Sequence, residues 1–378
     1  MSLNQSEPGT GGSTSITELS ALIKRSIPSE ILLHYEEAIS TFTPTPSCEI
    51  KKFNIHIEYN IIVFDIETTS LYRGAELCQL SAVDKTGQNM FSKYILPDDD
   101  IDYDATLVNK LSVQTVDGRR TLFKDDEALE SLTCQEALSL FVEYIKDYMI
   151  TSKARTNKDV CTVLIGHNAK LFDTPMLLRN SDNHIHASMR ALKIIFGDSL
   201  PLFRHLIKMK HPALIQSNGQ SCSSSLPSMY DTLFGETYAA HEGPEDVRAL
   251  QRILFSSPIK LTEHDIIDNC KLISFEDSLK NTQYLDHRYN LLQTMKYQLY
   301  SGDNFFQAPI SYSMAKKNAG SGLSYSDLQN LYTNHGRAGL IAVLSKPPTT
   351  SNNRKPRVTK NKRILASILH HFERLTVS

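Results

Sequence analysis

Ile61-Ile62-Val63-Phe64-Asp65-Ile66-Glu67-Thr68-Thr69 is the stretch on which the reading of the chain turns. Apolar, mostly β-branched or aromatic residues run straight into an acid, an apolar residue and a second acid. The first half reads as a strand buried on both faces, at the centre of an α/β sheet. Side chains alternate along a strand, so Asp65 and Glu67 project from the same side. Two carboxylates side by side at a buried strand end repel each other, which is costly unless a cation sits between them. Magnesium and manganese take oxygen ligands of this kind. The bland alternative is a solvated acidic strand end, and matching partners elsewhere in the chain weigh against it.

Working outward, Ala75 to Val83 and Gln88 to Leu96 read as two further strands, joined by a turn at Asp84-Lys85-Thr86-Gly87. Asp98-Asp99-Asp100 follows Pro97 and reads as a solvated turn rather than a metal site. A short helix is expected over Ala105 to Leu111. A longer one starts after Thr133, an N-cap with Glu136 three residues on. Val160 to Ile165 reads as another buried strand. Gly166-His167-Asn168 ends it, and a helix follows with Asp173 in its first turn and Pro175 where proline is tolerated. Leu200 to Phe203 is expected as a short final strand, Leu226 to Phe234 as a helix. Pro244 opens the next helix, with Val247, Leu250, Ile253 and Leu254 inward. This order fits an α/β fold, a mixed sheet with helices on both faces, ending near Phe255.

The rest of the chain frames that unit. Residues 1–15 are rich in Gly, Ser and Thr and read as a disordered tail. Residues 16–57 read as a helical segment interrupted at Pro28, then a linker holding two prolines at Thr41 to Ser47. Residues 58–256 hold the candidate catalytic domain. Residues 257–345 read as a helical extension without an assigned role, and 346–378 as a basic linker and a terminal helix.

Composition narrows the class. The 378 residues are 40% hydrophobic and 22% charged. No apolar run is long enough to span a bilayer, and the N-terminus lacks a secretory pattern, so no membrane partner is expected. The six cysteines are scattered without a Cys-x-x-Cys pair, which argues against a zinc site or disulfide framework and for the nucleus or cytoplasm. A net charge of −2 does not suit binding of nucleic acid by the whole surface. Arg354, Lys355, Arg357, Lys360, Lys362 and Arg363, with no acid among them, form a block suited to phosphate contacts or nuclear import, or else a solvated flexible segment. His184 and His186 fall on one face if extended, but without an acid or Cys partner, and His370-His371 reads as solvated. No Gly-x-Ser-x-Gly elbow, Walker A loop or dinucleotide fingerprint occurs.

Asp65, Glu67, Asp173, His241 and Asp246 each follow or open a well-marked element. If the two buried strands are neighbours, the four carboxylates converge at one sheet edge. Such a cluster suits two divalent ions roughly 4 Å apart, the arrangement for in-line attack at a phosphodiester. Asp65 would bridge both ions, Glu67 and Asp246 would complete one site, and Asp173 would hold the other, partly through water. An imidazole ionises near neutral pH, so His241 suits the general base, and Gly243 nearby suits a loop that swings in with substrate.

Asp-Ile-Glu-Thr-Thr at 65–69, His-Asn-Ala-Lys-Leu-Phe-Asp at 167–173 and His-Glu-Gly-Pro-Glu-Asp at 241–246 resemble the three exonuclease motifs of the DEDDh (DnaQ-like) 3′→5′ exonucleases. The spacing between Asn168 and Phe172 and the Thr-Pro-Met-Leu-Leu after Asp173 resemble the three-prime repair exonuclease branch. They also resemble the exonuclease-like domain of one promyelocytic leukaemia protein isoform. The resemblance covers about residues 58 to 256. It implies a ribonuclease H-like fold with a five-stranded mixed sheet, two Mg²⁺ or Mn²⁺ ions, and a nucleic acid with a free 3′ end as partner. Single-stranded DNA is favoured over RNA, a homodimer is allowed, and a non-catalytic binding module on the same fold is the alternative of a different class. It also implies that Thr68 lies near the terminal 3′-hydroxyl, that Leu71 wedges against the last base, and that His167 and Asn168 shape the strand end. For these last two, plain strand-end hydrogen bonding is the competing role. Ser70 and Gly243 depart from the family, which often has glycine and alanine there.

Overall fold

The computed structural model describes residues 16–37, 39, 46, 48–156, 158–300, 308–349 and 354–377. The tail expected at 1–15 and most of the linker expected at Thr41 to Ser47 lie outside the described residues. The chain forms two compact units, one of residues 46–283 and one of residues 1–45 with 284–378.

Among the described residues, the first unit has nine strands: β1 Ile57–Thr68, β2 Leu77–Asp84, β3 Met90–Tyr94, β4 Leu111–Val116, β5 Arg119–Lys124, β6 Glu127–Ala128, β7 Asp159–Gly166, β8 Ile195–Asp198 and β9 Ile273–Ser274. The main sheet has the order β3-β2-β1-β7-β8-β9. β1, β2 and β3 form the antiparallel meander. β7 runs parallel to β1, and β8 parallel to β7. The sheet is mixed and helix-flanked as expected. It carries a sixth strand, the two-residue β9, which pairs antiparallel to β8.

β1 is the centre because both its faces are covered. Tyr59, Ile61 and Val63 face a core shared with Met229, Val247, Leu250 and Ile253. Ile62, Phe64 and Ile66 face the opposite core, with Leu138, Phe141 and Ile145. Phe64 is fully buried, and its truncation to alanine is worth about 3–5 kcal/mol at such a site. The period of two carries on past Val63, so Asp65 and Glu67 lie on the Tyr59–Ile61–Val63 face, the one covered by helix Gly243–Phe255.

Expectation and structure differ in four places. The strand expected at Leu200–Phe203 is β8, one step earlier. Leu200–Lys208 is a helix with Pro201 in its first turn, and the Asp198 carboxylate accepts from the Leu200 N–H at 2.9 Å. β4, β5 and β6 form a separate three-stranded sheet that the sequence pattern does not anticipate, although Asp117-Gly118 marks its first turn. His184 and His186 sit on helix Asn183–Ala191, not on an extended segment, so they point to different faces. His186 Nε2 lies 2.9 Å from the Leu178 carbonyl. The compact unit also runs beyond 256: Ile266, Ile267 and Cys270 close one core, and Phe275 the other.

The second unit is helical. Ile16–Lys24, Ser29–Glu37, Tyr312–Gly320, Tyr325–Ser345 and Lys362–Val377 surround a core that includes Leu19, Leu331, Leu340, Leu365 and Phe372. Pro28 separates the first two helices, and Gly336 (φ 61°) breaks the fourth. Arg357 of the basic block is buried in an ion pair with Glu36 and is spent on packing. His371 is likewise buried, its Nε2 3.0 Å from the Tyr325 hydroxyl, which corrects the solvated reading of this residue. Among the described residues, no helix is long and apolar enough to cross a membrane.

Candidate active site

Three elements bring the acids together. β1 carries Asp65 and Glu67 beyond the point where its ladder with β7 ends, at the pair Val63 and Ile165. On the other side β2 stays in register, with Asp65 opposite Ser81 and Glu67 opposite Gln79. Gly166 closes β7. A Cβ there would lie 2.9 Å from the Ala169 Cβ and 3.0 Å from the Phe64 carbonyl, so the bare backbone lets the chain fold back beside β1. Asn168 takes the left-handed conformation (φ 66°), and its N–H donates to Asp198 at 2.9 Å. Helix Asp173–Asn180 then begins, and the Asp173 carboxylate accepts the N–H of Ile66, a donor the β7 ladder does not reach. Asp246 comes from the first turn of helix Gly243–Phe255. It accepts from the Tyr238 hydroxyl at 2.8 Å and from the N–H groups of His241 and Glu242.

One oxygen each from Asp65, Glu67 and Asp246 lie within 4.8 Å of one another. Asp173 is buried beside them and is the largest electrostatic influence on Asp65 after burial itself. All four carboxyls are pushed up. For Asp65 the causes are burial and then the charges of Asp173, Asp246 and Glu67. Burial and then the charges of Asp246 and Asp173 bring Glu67 up to about 8, opposed by a hydrogen bond with Asn109 and the charge of Lys124. Asp173 rises to about 7, chiefly by burial. Burial also raises Asp246, which Tyr238 and the His241 and Glu242 amides hold back. Among the described residues, no Lys or Arg forms an ion pair with any of the four. Mutually repelling oxygens that converge without a Lys or Arg counter-charge among the described residues fit a divalent cation, whose oxygen ligands sit at about 2.0–2.6 Å.

The remaining expected residues are placed as follows. His241 is exposed, in the left-handed conformation (φ 67°), one residue before the Glu242 N-cap. Thr68 is buried, and its hydroxyl donates to the Ser70 carbonyl at 2.7 Å. Leu71 is 84% exposed, beside the exposed Tyr72. His167 has both ring nitrogens engaged, Nδ1 with the Ser199 hydroxyl at 3.0 Å and Nε2 with the Ser224 carbonyl at 2.8 Å. The side chain of Asn168 is half-buried.

Four further residues of the site are not among those the sequence points to. Asn109, at the end of helix Tyr103–Asn109, bonds to Glu67 and donates to the Thr68 carbonyl at 3.4 Å. Lys124, on β5, pairs with Glu242 at 2.9 Å and ties the small sheet to the His241 loop. Tyr238 steadies Asp246. Buried Asp198 accepts from the N–H groups of Asn168 and Leu200, and so shapes the turn that leads to Asp173. Asp198 stands at the end of an apolar run, Ile194-Ile195-Phe196, the same cue that marks Asp65. The other three lie on segments without a motif.

The model of the family described as PML, C-terminal domain, matches residues 307–375, in the helical unit and outside the residues that carry the acids. No curated protein matches the chain. Among solved structures, E. coli exonuclease I in complex with a dT13 oligonucleotide is similar at 15% identity and a TM-score of 0.36, over 63% of this chain and 44% of that one. A moderately thermophilic exonuclease I from Methylocaldum szegediense is similar at 14% identity and a TM-score of 0.39, over 84% of this chain and 71% of that one. A 3′-exonuclease described for 3′-end specific recognition of histone mRNA stem-loop is similar at 13% identity and a TM-score of 0.33, over 56% and 84%. The chain thus spans less than half the length of the E. coli enzyme.

Proposed function

We propose that the first unit is a metal-dependent nuclease that removes nucleotides from the 3′ end of a nucleic acid, single-stranded DNA in preference to RNA. The observation that carries the reading is the convergence of Asp65, Glu67 and Asp246 within 4.8 Å, with Asp173 buried alongside. Acids from three sequence-distant elements are held together against their own repulsion. Packing alone gives no reason for this, because burying them without a counter-charge weakens the fold.

Asp65, Glu67 and Asp246 would hold one Mg²⁺ or Mn²⁺, and Asp65 with Asp173 a second. Ions bound there would lower the pKa of water and offset charge on the phosphate and the leaving oxygen. The protein's own residues do the rest. His241 sits on a loop anchored at Asp246 through its own N–H, so its exposed ring can take a proton from water next to the cluster. Leu71, projecting beside the end of β1, offers an apolar face to the terminal base, and Thr68 lies at the same strand end. Lys124 and Asn109 favour the ionised form of Glu67, the form that binds a cation.

The experiment is a time course with 5′-labelled single-stranded DNA and RNA of one sequence, with free or blocked 3′ ends, in Mg²⁺ and in Mn²⁺, beside Asp65→Asn. The expected result is a ladder shortening from free 3′ ends only, faster on DNA, and lost in the variant. Equal rates in the variant, or no shortening of either polymer, would contradict the proposal. RNA cut faster than DNA would reassign the substrate and keep the chemistry.

A further inference from the structure

The helical unit carries a second feature, independent of the acidic cluster. A groove of about 710 Å³ is lined by Tyr300, Pro309, Ile310, Tyr312, Met314 and Ile364. That volume lies in the range of ligand clefts, roughly 300–1,000 Å³. Its walls are apolar and aromatic, with Tyr300 and Tyr312 rings 5.4 Å apart. Its rim is cationic. Lys296 and Arg363 line it directly, and Lys316 lies 5.0 Å from the centre of the Tyr312 ring. Lys296 is placed the same way over exposed Tyr297, at 5.2 Å. Lys360 and Lys362 stand exposed where helix Lys362–Val377 begins.

Among the described residues of the stretches that build the groove, charge is one-sided: no Asp or Glu occurs from His287 to Tyr300, from Ala308 to Leu323, or from Arg354 to Phe372. Among the described residues, none of Lys296, Lys316, Lys360, Lys362 and Arg363 has an ion pair. Ammonium groups beside half-exposed tyrosine rings, next to unpaired cations, are complementary to a chain with negative charge at regular intervals and flat apolar faces between. That is single-stranded nucleic acid: phosphates meet the lysines and arginine, and bases stack on tyrosine. A duplex would keep its bases out of reach of the rings, and a simple polyanion would leave the apolar walls unused.

We infer that this groove of the helical unit binds single-stranded nucleic acid by base stacking on Tyr312 and phosphate contact with Lys316 and Arg363. This goes beyond the proposed hydrolysis, since it places contacts on a unit that contains none of the four acids.

The test uses the full chain in EDTA, so that binding is read whether or not the first unit cuts. Fluorescence anisotropy would compare a labelled oligo-dT with an abasic oligomer of the same length. The wild type is expected to bind oligo-dT the more tightly. Tyr312→Ala, at an exposed position, should weaken oligo-dT binding by about fivefold or more and leave the abasic oligomer unchanged. Lys316→Glu with Arg363→Glu should weaken both probes and reduce the slope of log K against log salt by about 0.7 for each phosphate no longer neutralised. Equal wild-type affinity for the two probes, unchanged binding in Tyr312→Ala, or an unchanged salt slope in the double variant would overturn the inference. Capture of anionic vesicles in place of oligo-dT would overturn it in favour of a membrane surface.

Discussion

The phenolic hydroxyl of Tyr238 donates to Oδ1 of Asp246 at 2.8 Å, eight residues away along the chain. That bond helps fix the carboxylate that converges with Asp65 and Glu67. Burial and the charge of Asp246 keep the phenol protonated and donating. Tyr238→Phe keeps the ring contact with Tyr230 and removes only the donor. Outer partners of metal ligands are typically worth 10–100-fold in affinity or activity. The expected outcome is a rise of about tenfold or more in the Mn²⁺ concentration for half-maximal stabilisation, read by thermal melting, with a fold otherwise intact.

Stability without metal should fall as pH rises. Glu67 is pushed from the ordinary 4.5 up to about 8, and Asp173 from 3.8 up to about 7. The folded metal-free protein therefore binds more protons than the unfolded chain between those limits. Stability is full below about pH 4 and is lost as pH climbs through 7 to 8, by up to ~1.4 kcal/mol per pH unit for each group. Urea titrations in EDTA from pH 4.5 to 8 would show the decline. Mn²⁺ should reverse it, because the ion binds the ionised form.

The same repulsion makes a loss-of-charge variant more stable. Asp65→Asn removes the buried charge that Asp173, Asp246 and Glu67 oppose. At pH 7.5 in EDTA its melting temperature should exceed the wild type's, and in Mn²⁺ the order should invert. A variant less stable in both conditions would mean that Asp65 supports the fold and not an ion.

Gly243 is held by space. A Cβ there would lie 2.5 Å from the Ser81 hydroxyl and 3.1 Å from Gln79 Oε1, while the Gly243 N–H donates to that same Gln79 oxygen at 3.3 Å. Gly243→Ala must displace either the Ser81 hydroxyl, which is hydrogen-bonded to Ser92, or helix Gly243–Phe255, at a cost of about 1–3 kcal/mol. Ser81→Ala removes the crowding atom, so the double variant should recover most of the loss in a thermodynamic cycle.

Much of this is legible in the amino-acid order. β1 stands out because a strand covered on both faces must be apolar throughout, so two acids at its end are conspicuous. Thr133 with Glu136 forms the capping box its spacing indicates. What stays hidden has a common physical reason. β4–β6 is a small, largely exposed sheet without a strong alternation, and it delivers Lys124 to the site only through tertiary packing. Asn109 and Tyr238 act through single hydrogen bonds, which leave no periodic trace. Leu200–Phe203 is an apolar run too short to separate strand from helix, and Pro201 and the Asp198 carboxylate decide it. Arg357 reads as part of a solvated basic block because its partner, Glu36, lies more than three hundred residues away.

The central claim is that Asp65, Glu67 and Asp246 hold a divalent cation, and calorimetric titration of the metal-free protein with Mn²⁺ tests it most directly. Saturable binding is expected for the wild type at pH 7.5, with proton release, since carboxyls pushed up toward neutrality must ionise to bind. Asp65→Asn and Asp246→Asn should each weaken that binding by tenfold or more. No saturable heat in the wild type, or equal affinity in folded Asp65→Asn protein, would contradict the account.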